Sequence, residues 1–249
     1  MLKLLIRSGI ASLALIAGAG HAAEVRVIAA NAVKEGYADI VAAFEKSSGH
    51  KVVTTWAGTV ATEKRVGAGD VFDIVLVGSD AVDRLINAGK LSKGSRIDFA
   101  KTGIAIAVRA GLPRPDVSTP EAVKAAVLAS NSIAYSAGPS GAYVSGLFKR
   151  WGIGDPVASR VKQPSSGAEV AQMLARGEAD LAFAQVSEFR GVAGIQDLGL
   201  VPAAIQNFTI YSAAQHTLSS SPDAAAALLN ALKSQEGAPA IRKMGMEPG

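Results

Sequence analysis

The chain of 249 residues has no cysteine, which removes thiolate metal sites, disulfide scaffolds and cysteine nucleophiles together. Histidine is scarce at three residues, which argues against a histidine-built metal cluster. Aromatic residues make up 5%, too few and too scattered for the stacking platforms of nucleic-acid binders. Charged residues are also few at 18%, against 49% hydrophobic, a balance that excludes a disordered chain. Signature motifs are missing as well: there is no P-loop, no GxGxxG with a following acid and no GxSxG elbow. No Ser–His–Asp arrangement can be read from residue order.

The first 22 residues stand apart from the rest. They carry Lys3 and Arg7 without an acid, an apolar stretch over 10–17, and small residues Gly20 and Ala22 before a cleavage point. This is the pattern of a secretory signal peptide, and the apolar stretch is short of the roughly 20 residues a spanning helix needs. The segment 1–22 is therefore expected to be removed, leaving 23 basic against 21 acidic residues. So small an excess does not point to nucleic acid. The mature protein is expected to be periplasmic and monomeric, stabilised by its core alone.

The mature chain alternates short β-branched runs with amphipathic stretches. Strands are expected at 25–29 (VRVIA), 51–56 (KVVTTW), 73–77 (DIVLV), 104–108 (IAIAV), 132–135, 180–184 (DLAFA) and 208–213 (FTIYSA). Helices are expected at 37–46, 59–68, 79–87, 140–151, 166–176, 223–233 and 239–244, and STPE at 118–121 reads as a capping-box start. This order predicts an α/β fold of two lobes, each a mainly parallel sheet flanked by helices. One lobe is assigned to 23–102 with 208–249 and the other to 103–207, with crossings near 101–103 and 206–208.

The segments just beyond the strands suggest a function. Asn31, Thr59, Ser140 and the Ser165–Ser166 pair lie among small residues where helices are expected to begin. Helix starts present free N–H groups and the positive end of a dipole, and small residues let an anion approach the backbone. Each position taken alone is an ordinary helix cap, and Ser166 with Glu169 is a good capping box. Four such starts in equivalent places on two facing lobes suggest an anion cleft.

Three blocks carry a resemblance to a known family: VIAANAVKEGYADIVAAFEKSSGHKV (27–52), RVGAGDVFDIVLVGSDAVDRLINAGKL (65–91) and SIAYSAGPSGAYVSGLFKRWGI (132–153). In this order they resemble the periplasmic molybdate-binding proteins of ABC importers, a branch of the type II solute-binding fold. The resemblance implies a two-lobed clamp that holds a tetrahedral oxyanion with hydroxyls and backbone amides, without metal or cofactor, and then docks on an ABC permease. It places the ligand among Asn31, Thr59, Ser140, Val170 and Gln185, with Val170 as a backbone donor. Asn31 stands where the family has a serine hydroxyl and Gln185 where it has a tyrosine. Amides also suit carboxylates, and exported aconitate isomerases, which move a proton within a tricarboxylate, resemble the same proteins. Capture of a molybdate- or tungstate-like oxyanion for import is the leading expectation, and an aconitate-isomerase-like enzyme is the alternative.

An enzyme needs an acid or base in the cleft. His216, just after a crossing strand, is a candidate to approach it, and His50 is expected at a solvated turn. Lys34, Glu63, Lys64 and Arg65 read as solvated helix faces, Lys64 or Arg65 with a lesser prospect of pairing with a carboxylate, and Tyr143 as a core aromatic that can also donate to a ligand.

Overall fold

The structure, a computed structural model, describes residues 22–249. The expected signal segment, all but its last residue, lies outside the described residues. The strands are β1 (Glu24–Ala30), β2 (Lys51–Ala57), β3 (Ile74–Gly78), β4 (Ile97–Arg109), β5 (Ile133–Tyr135), β6 (Val161–Lys162), β7 (Leu181–Gln185), β8 (Ile195–Leu200), β9 (Phe208–Gln215) and β10 (Glu247–Pro248). The helices are α1 (Lys34–Ser48), α2 (Thr59–Ala68), α3 (Ser79–Asn87), α4 (Pro120–Ala129), α5 (Pro139–Arg150), α6 (Gly154–Val157), α7 (Gly167–Ala175), α8 (Val186–Phe189), α9 (Pro222–Lys233) and α10 (Ala238–Lys243).

The strands run in the order β2-β1-β3-β9-β4-β7-β5-β6, with β8 and β10 also paired to β4. β1 pairs in parallel with β2 and β3, and β5 in parallel with β6 and β7. Between these two parallel groups lie β9 and β4, both antiparallel to their neighbours. Residues 97–103 of β4 pair with β9, while 104–109 pair with β7 and β8. The long β4 thus belongs to two sheets, and the molecule is an α/β protein of two lobes.

At the crossing, Gly103 pairs with Phe208. The amide of Gln206 closes the ladder beyond it: its Oε1 accepts from the Ile104 N–H at 2.8 Å and its Nε2 donates to the Ile104 carbonyl at 3.0 Å. A side chain here does what a neighbouring strand's backbone does elsewhere.

Local sequence accounts for most elements. β3 is wholly buried, as expected for a strand covered on both faces. α1 turns Tyr37, Ile40 and Phe44 inward and ends at Gly49, which takes φ 76°. In β4, Ile104, Ile106 and Val108 face one side with Phe148 and Phe183, while Ala105 and Ala107 face α7 and α8 on the other. These alanines leave room for α7 and α8 to sit close to the sheet. Thr119, not Ser118, caps α4, accepting from Ala122 N at 3.1 Å with Pro120 in the first turn. No helix among the described residues is long and apolar enough to cross a membrane.

Candidate functional site

The carboxyl ends of β1, β5 and β7 converge, and helix starts from both lobes enclose a cavity of about 20 Å³. So small a space means that the lobes are closed on each other. One lobe contributes Asn31, Thr59 and Tyr211 to the wall, and the other contributes Ser136, Ser140, Ser165, Ser166, Gly167 and Glu188. Glycines make the close approach possible. A Cβ on Gly58 would overlap the Ser165 carbonyl of the opposite lobe, and one on Gly78 would lie 3.2 Å from Pro139 Cγ.

Asn31 opens a 3₁₀ turn directly after β1 and is half-buried. Thr59 is the first residue of α2; its Oγ1 accepts the Gly78 N–H at 3.3 Å, so its own hydroxyl hydrogen is left for another acceptor. Ser136 Oγ accepts from Gly138 N at 3.2 Å, and Ser140 lies buried in the first turn of α5 behind Pro139, which has no N–H. Gly141 is fixed by the same turn, since a Cβ there would overlap the Ser136 carbonyl. Ser166 caps α7 by accepting from Glu169 N at 3.3 Å, while the Glu169 carboxylate turns to Ser165 N and Oγ rather than closing the box on Ser166.

The start of α7 departs from expectation. Its Gly167 lies against the protein's own Glu188 carboxylate, which accepts from Gln185 N at 3.2 Å. A Cβ on Gly167 would overlap this carboxylate, so only glycine leaves the seat free. Val170, expected as a backbone donor to the ligand, gives its N–H to the Ser166 carbonyl at 3.1 Å, and its side chain is in the core. Gln185 stands behind the wall, its Nε2 donating to Thr209 Oγ1 at 2.8 Å and its amide beside the Tyr211 phenol. Gln185 Oε1 is buried without a partner among the described residues.

The electrostatics are unusual for an anion site. No lysine or arginine lies on the described wall, and Glu188 is its one formally charged side chain. Burial pushes the Glu188 carboxyl up to about 7, against the hydrogen bonds from Gln185, Ala168 and Gly167 that favour the charged form. Burial, with the Glu188 charge adding to it, holds the Tyr211 phenol well above its ordinary value.

Among the sequence-derived candidates, the structure brings Asn31, Thr59 and Ser140 together and leaves Val170 and Gln185 outside the wall. The other candidate groups lie elsewhere. His216 is five residues beyond Tyr211 on the same strand path, about 17 Å at strand spacing. Its Nδ1 accepts from Leu218 N at 3.0 Å, and burial lowers its pKa. His50 is half-buried rather than solvated, accepting from Ala23 N at 3.1 Å. Arg65 pairs with Asp70 at 2.7 Å, Glu63 with Arg84 at 2.5 Å, and Lys34 lies over the Trp56 ring at 5.9 Å. Tyr143 lies under the Arg150 guanidinium at 5.2 Å. Sequence reasoning misses Glu188 and Tyr211. The only local signal for Glu188 is an acid three residues after Gln185, the spacing of a helix cap.

Known proteins share both this fold and this sequence pattern. The family model for bacterial extracellular solute-binding proteins matches residues 25–247. The aconitate isomerase of a Pseudomonas species is 36% identical over 216 residues, covering 84% of this chain and 82% of that protein. The molybdate-binding protein ModA of Azotobacter vinelandii is 28% identical over 178 residues, covering 70% and 69%. Among solved structures, the periplasmic molybdate-binding protein of Azotobacter vinelandii aligns with a TM-score of 0.77 at 18% identity, over 90% of this chain and 99% of that one.

Proposed function

We propose, from the premise that the chain belongs to the bacterial extracellular solute-binding protein family, that it captures a small anion in the cleft between its lobes and delivers it to an ABC permease. The reading rests on one observation: helix starts from both lobes, bearing Asn31, Thr59 and Ser140, face one small cavity lined by hydroxyls and backbone groups. Such a site stabilises negative charge through dipoles and donors alone. Its small volume and lack of basic side chains suit a compact oxyanion of the molybdate or tungstate type better than a tricarboxylate. The molybdate-binding relative supports the same ligand class.

The lobes are taken as 23–102 with 208–249, and 103–207, hinged at Gly103, Gln206 and Phe208. An anion touching both lobes binds the closed form better and shifts the population toward it. The protein acts as a periplasmic monomer after removal of residues 1–22. Calorimetry with molybdate, tungstate and sulfate at micromolar protein tests the reading: heat from at least one is expected, and none from any refutes it.

A second reading is favoured by Glu188. A cleft carboxyl that titrates at about 7 suits a general acid–base step at neutral pH. The aconitate isomerase relative supports an isomerase acting on a tricarboxylate. Proton NMR of cis- and trans-aconitate with the pure protein decides it, since unchanged spectra refute the enzyme.

A further inference from the structure

We propose that anion capture in this cleft takes up one proton, at the Glu188 carboxyl, so that the closed complex holds the anion and a neutral Glu188 side by side. The inference rests on the anion-capture reading and names the residue that decides how much negative charge the site accepts.

The geometry leads to it directly. Of the helix starts around the cavity, that of α7 is already filled by a carboxylate of the protein, packed against Gly167 and accepting from Gln185 N. That carboxylate is on the cavity wall beside Ser165, Ser166 and Tyr211. An anion held by Asn31, Thr59 and Ser140 in so small a space is a close neighbour of Glu188, and closure removes the water that would screen the two. Two negative charges in a poorly polarisable interior repel strongly.

No lysine or arginine lies on the described wall to relieve this repulsion, and Lys101 of β4 is 3.4 Å from Glu247. Of the charged groups on the elements packed around α8, Arg190 is 4.0 Å from Asp197, Arg109 pairs with Asp180 at 3.6 Å, and Glu169 is turned to Ser165. At the start of α1, Lys34 lies over Trp56 and Glu35 is exposed. From β9, Tyr211 faces Glu188 with a phenol that stays neutral. Neutralising Glu188 removes the repulsion and does more than remove a charge: a protonated carboxyl carries an O–H that can donate to the anion. The carboxyl is poised for this, because burial already holds its titration near neutrality before an anion adds its own push.

The test is calorimetry of the mature chain with sodium molybdate between about pH 6 and about pH 8.5, in buffers of different ionisation enthalpy. Wild type is expected to take up close to one proton in the upper half of this range and to lose about tenfold in affinity per pH unit above about 7. Glu188→Gln, which keeps the shape and an acceptor oxygen, is expected to bind with an affinity flat in pH, tighter than wild type at the alkaline end. Wild-type binding without proton uptake, or an unchanged pH dependence in Glu188→Gln, overturns the inference while leaving anion capture standing. No heat in either protein with molybdate, sulfate or phosphate at any pH overturns both. Should Glu188→Gln not fold, carbon NMR of the wild-type glutamate carboxyls at about pH 8 replaces it. One carboxyl is then expected to become protonated on adding molybdate, and none doing so overturns the inference.

Discussion

Replacing Gly58 by alanine should prop the two lobes apart without harming either of them. Gly58 caps α2 with φ −73° and ψ 154°, an extended conformation any residue adopts, so alanine brings no backbone strain. The obstacle is the opposite lobe. The new methyl group would overlap the Ser165 carbonyl oxygen, with Ser165 C at 3.3 Å and Ser166 Cβ at 3.5 Å. These are backbone and near-backbone atoms just before α7, and no side-chain rotation clears them. Overpacking of this kind costs about 1–3 kcal/mol, and here it falls on the closed form alone. A ligand that needs the closed form should therefore bind roughly 5- to 150-fold more weakly. Calorimetry with whichever anion binds wild type measures the loss, and small-angle scattering should show a more open particle. Thermal stability without ligand should stay within about 0.5 kcal/mol of wild type. Wild-type affinity in a closed particle would refute the argument. Equally damaging would be a ligand-free protein destabilised by the full amount, since the lobes would then be unable to part.

Further outcomes can be checked one by one. Thr59→Ala removes a cleft hydroxyl that has a free hydrogen, and should weaken anion binding by about 1–3 kcal/mol in the same calorimetric assay. Glu188 has a folded-state pKa raised to about 7, so its neutral form favours folding. Its contribution is present at acid pH and falls by about 3 kcal/mol as pH rises from about 4.5 to about 7. Urea melts at the two ends of that range should show this slope in wild type and lose it in Glu188→Gln. Asp73 is the opposite case. Burial works against its charge, yet bonds from Ser219 Oγ at 2.6 Å, Arg26 N at 2.8 Å, and Ser220 and Ser221 N hold its carboxyl below the usual range. Asp73→Asn sets an NH2 group against these donors and should lower stability by about 2–4 kcal/mol near neutrality. The gap should close as acid protonates the wild-type carboxylate below its depressed pKa.

Much of the framework is legible because the chain marks its own boundaries. α2 runs over Thr59–Ala68 as its pattern suggests, set off by Gly58 before it and by Gly69 at φ 113° after it. β3 is plain from a continuous apolar run with no competing period. β4 shows only half its length in the sequence. Its first part, IDFAKTG, mixes Asp98 and Lys101 with buried Phe99 and Ala100, which masks a strand that pairs on both edges. β8 escapes notice because a register shift at its pairing with Ile106 and Ala107 breaks the alternation. At the site, residues in the first turn of a helix can be found wherever a strand leads straight into that helix, as at Asn31, Thr59 and Ser140. Val170 lies one turn further in, where its N–H already serves the helix through the Ser166 carbonyl. Glu188 is hidden because its importance comes from a partner twenty-one residues earlier, Gly167, and no local pattern announces that pairing.

The position of β9 between β3 and β4 has a consequence for how the polypeptide matures. The ribosome delivers the chain from its amino end, yet β9, an inner strand of the first sheet, is among the last to emerge. Until it arrives, β3 and the front half of β4 are edges without a mate, exposed to whatever other chain comes near. The intervening half, by contrast, has all its partners in one unbroken stretch and can settle early. Pulse-labelling hydrogen exchange during refolding should find protection around Leu181–Gln185 before Ile74–Gly78. The nested order makes the first lobe the natural client of a chaperone, and its completion the step that commits the molecule to its native form.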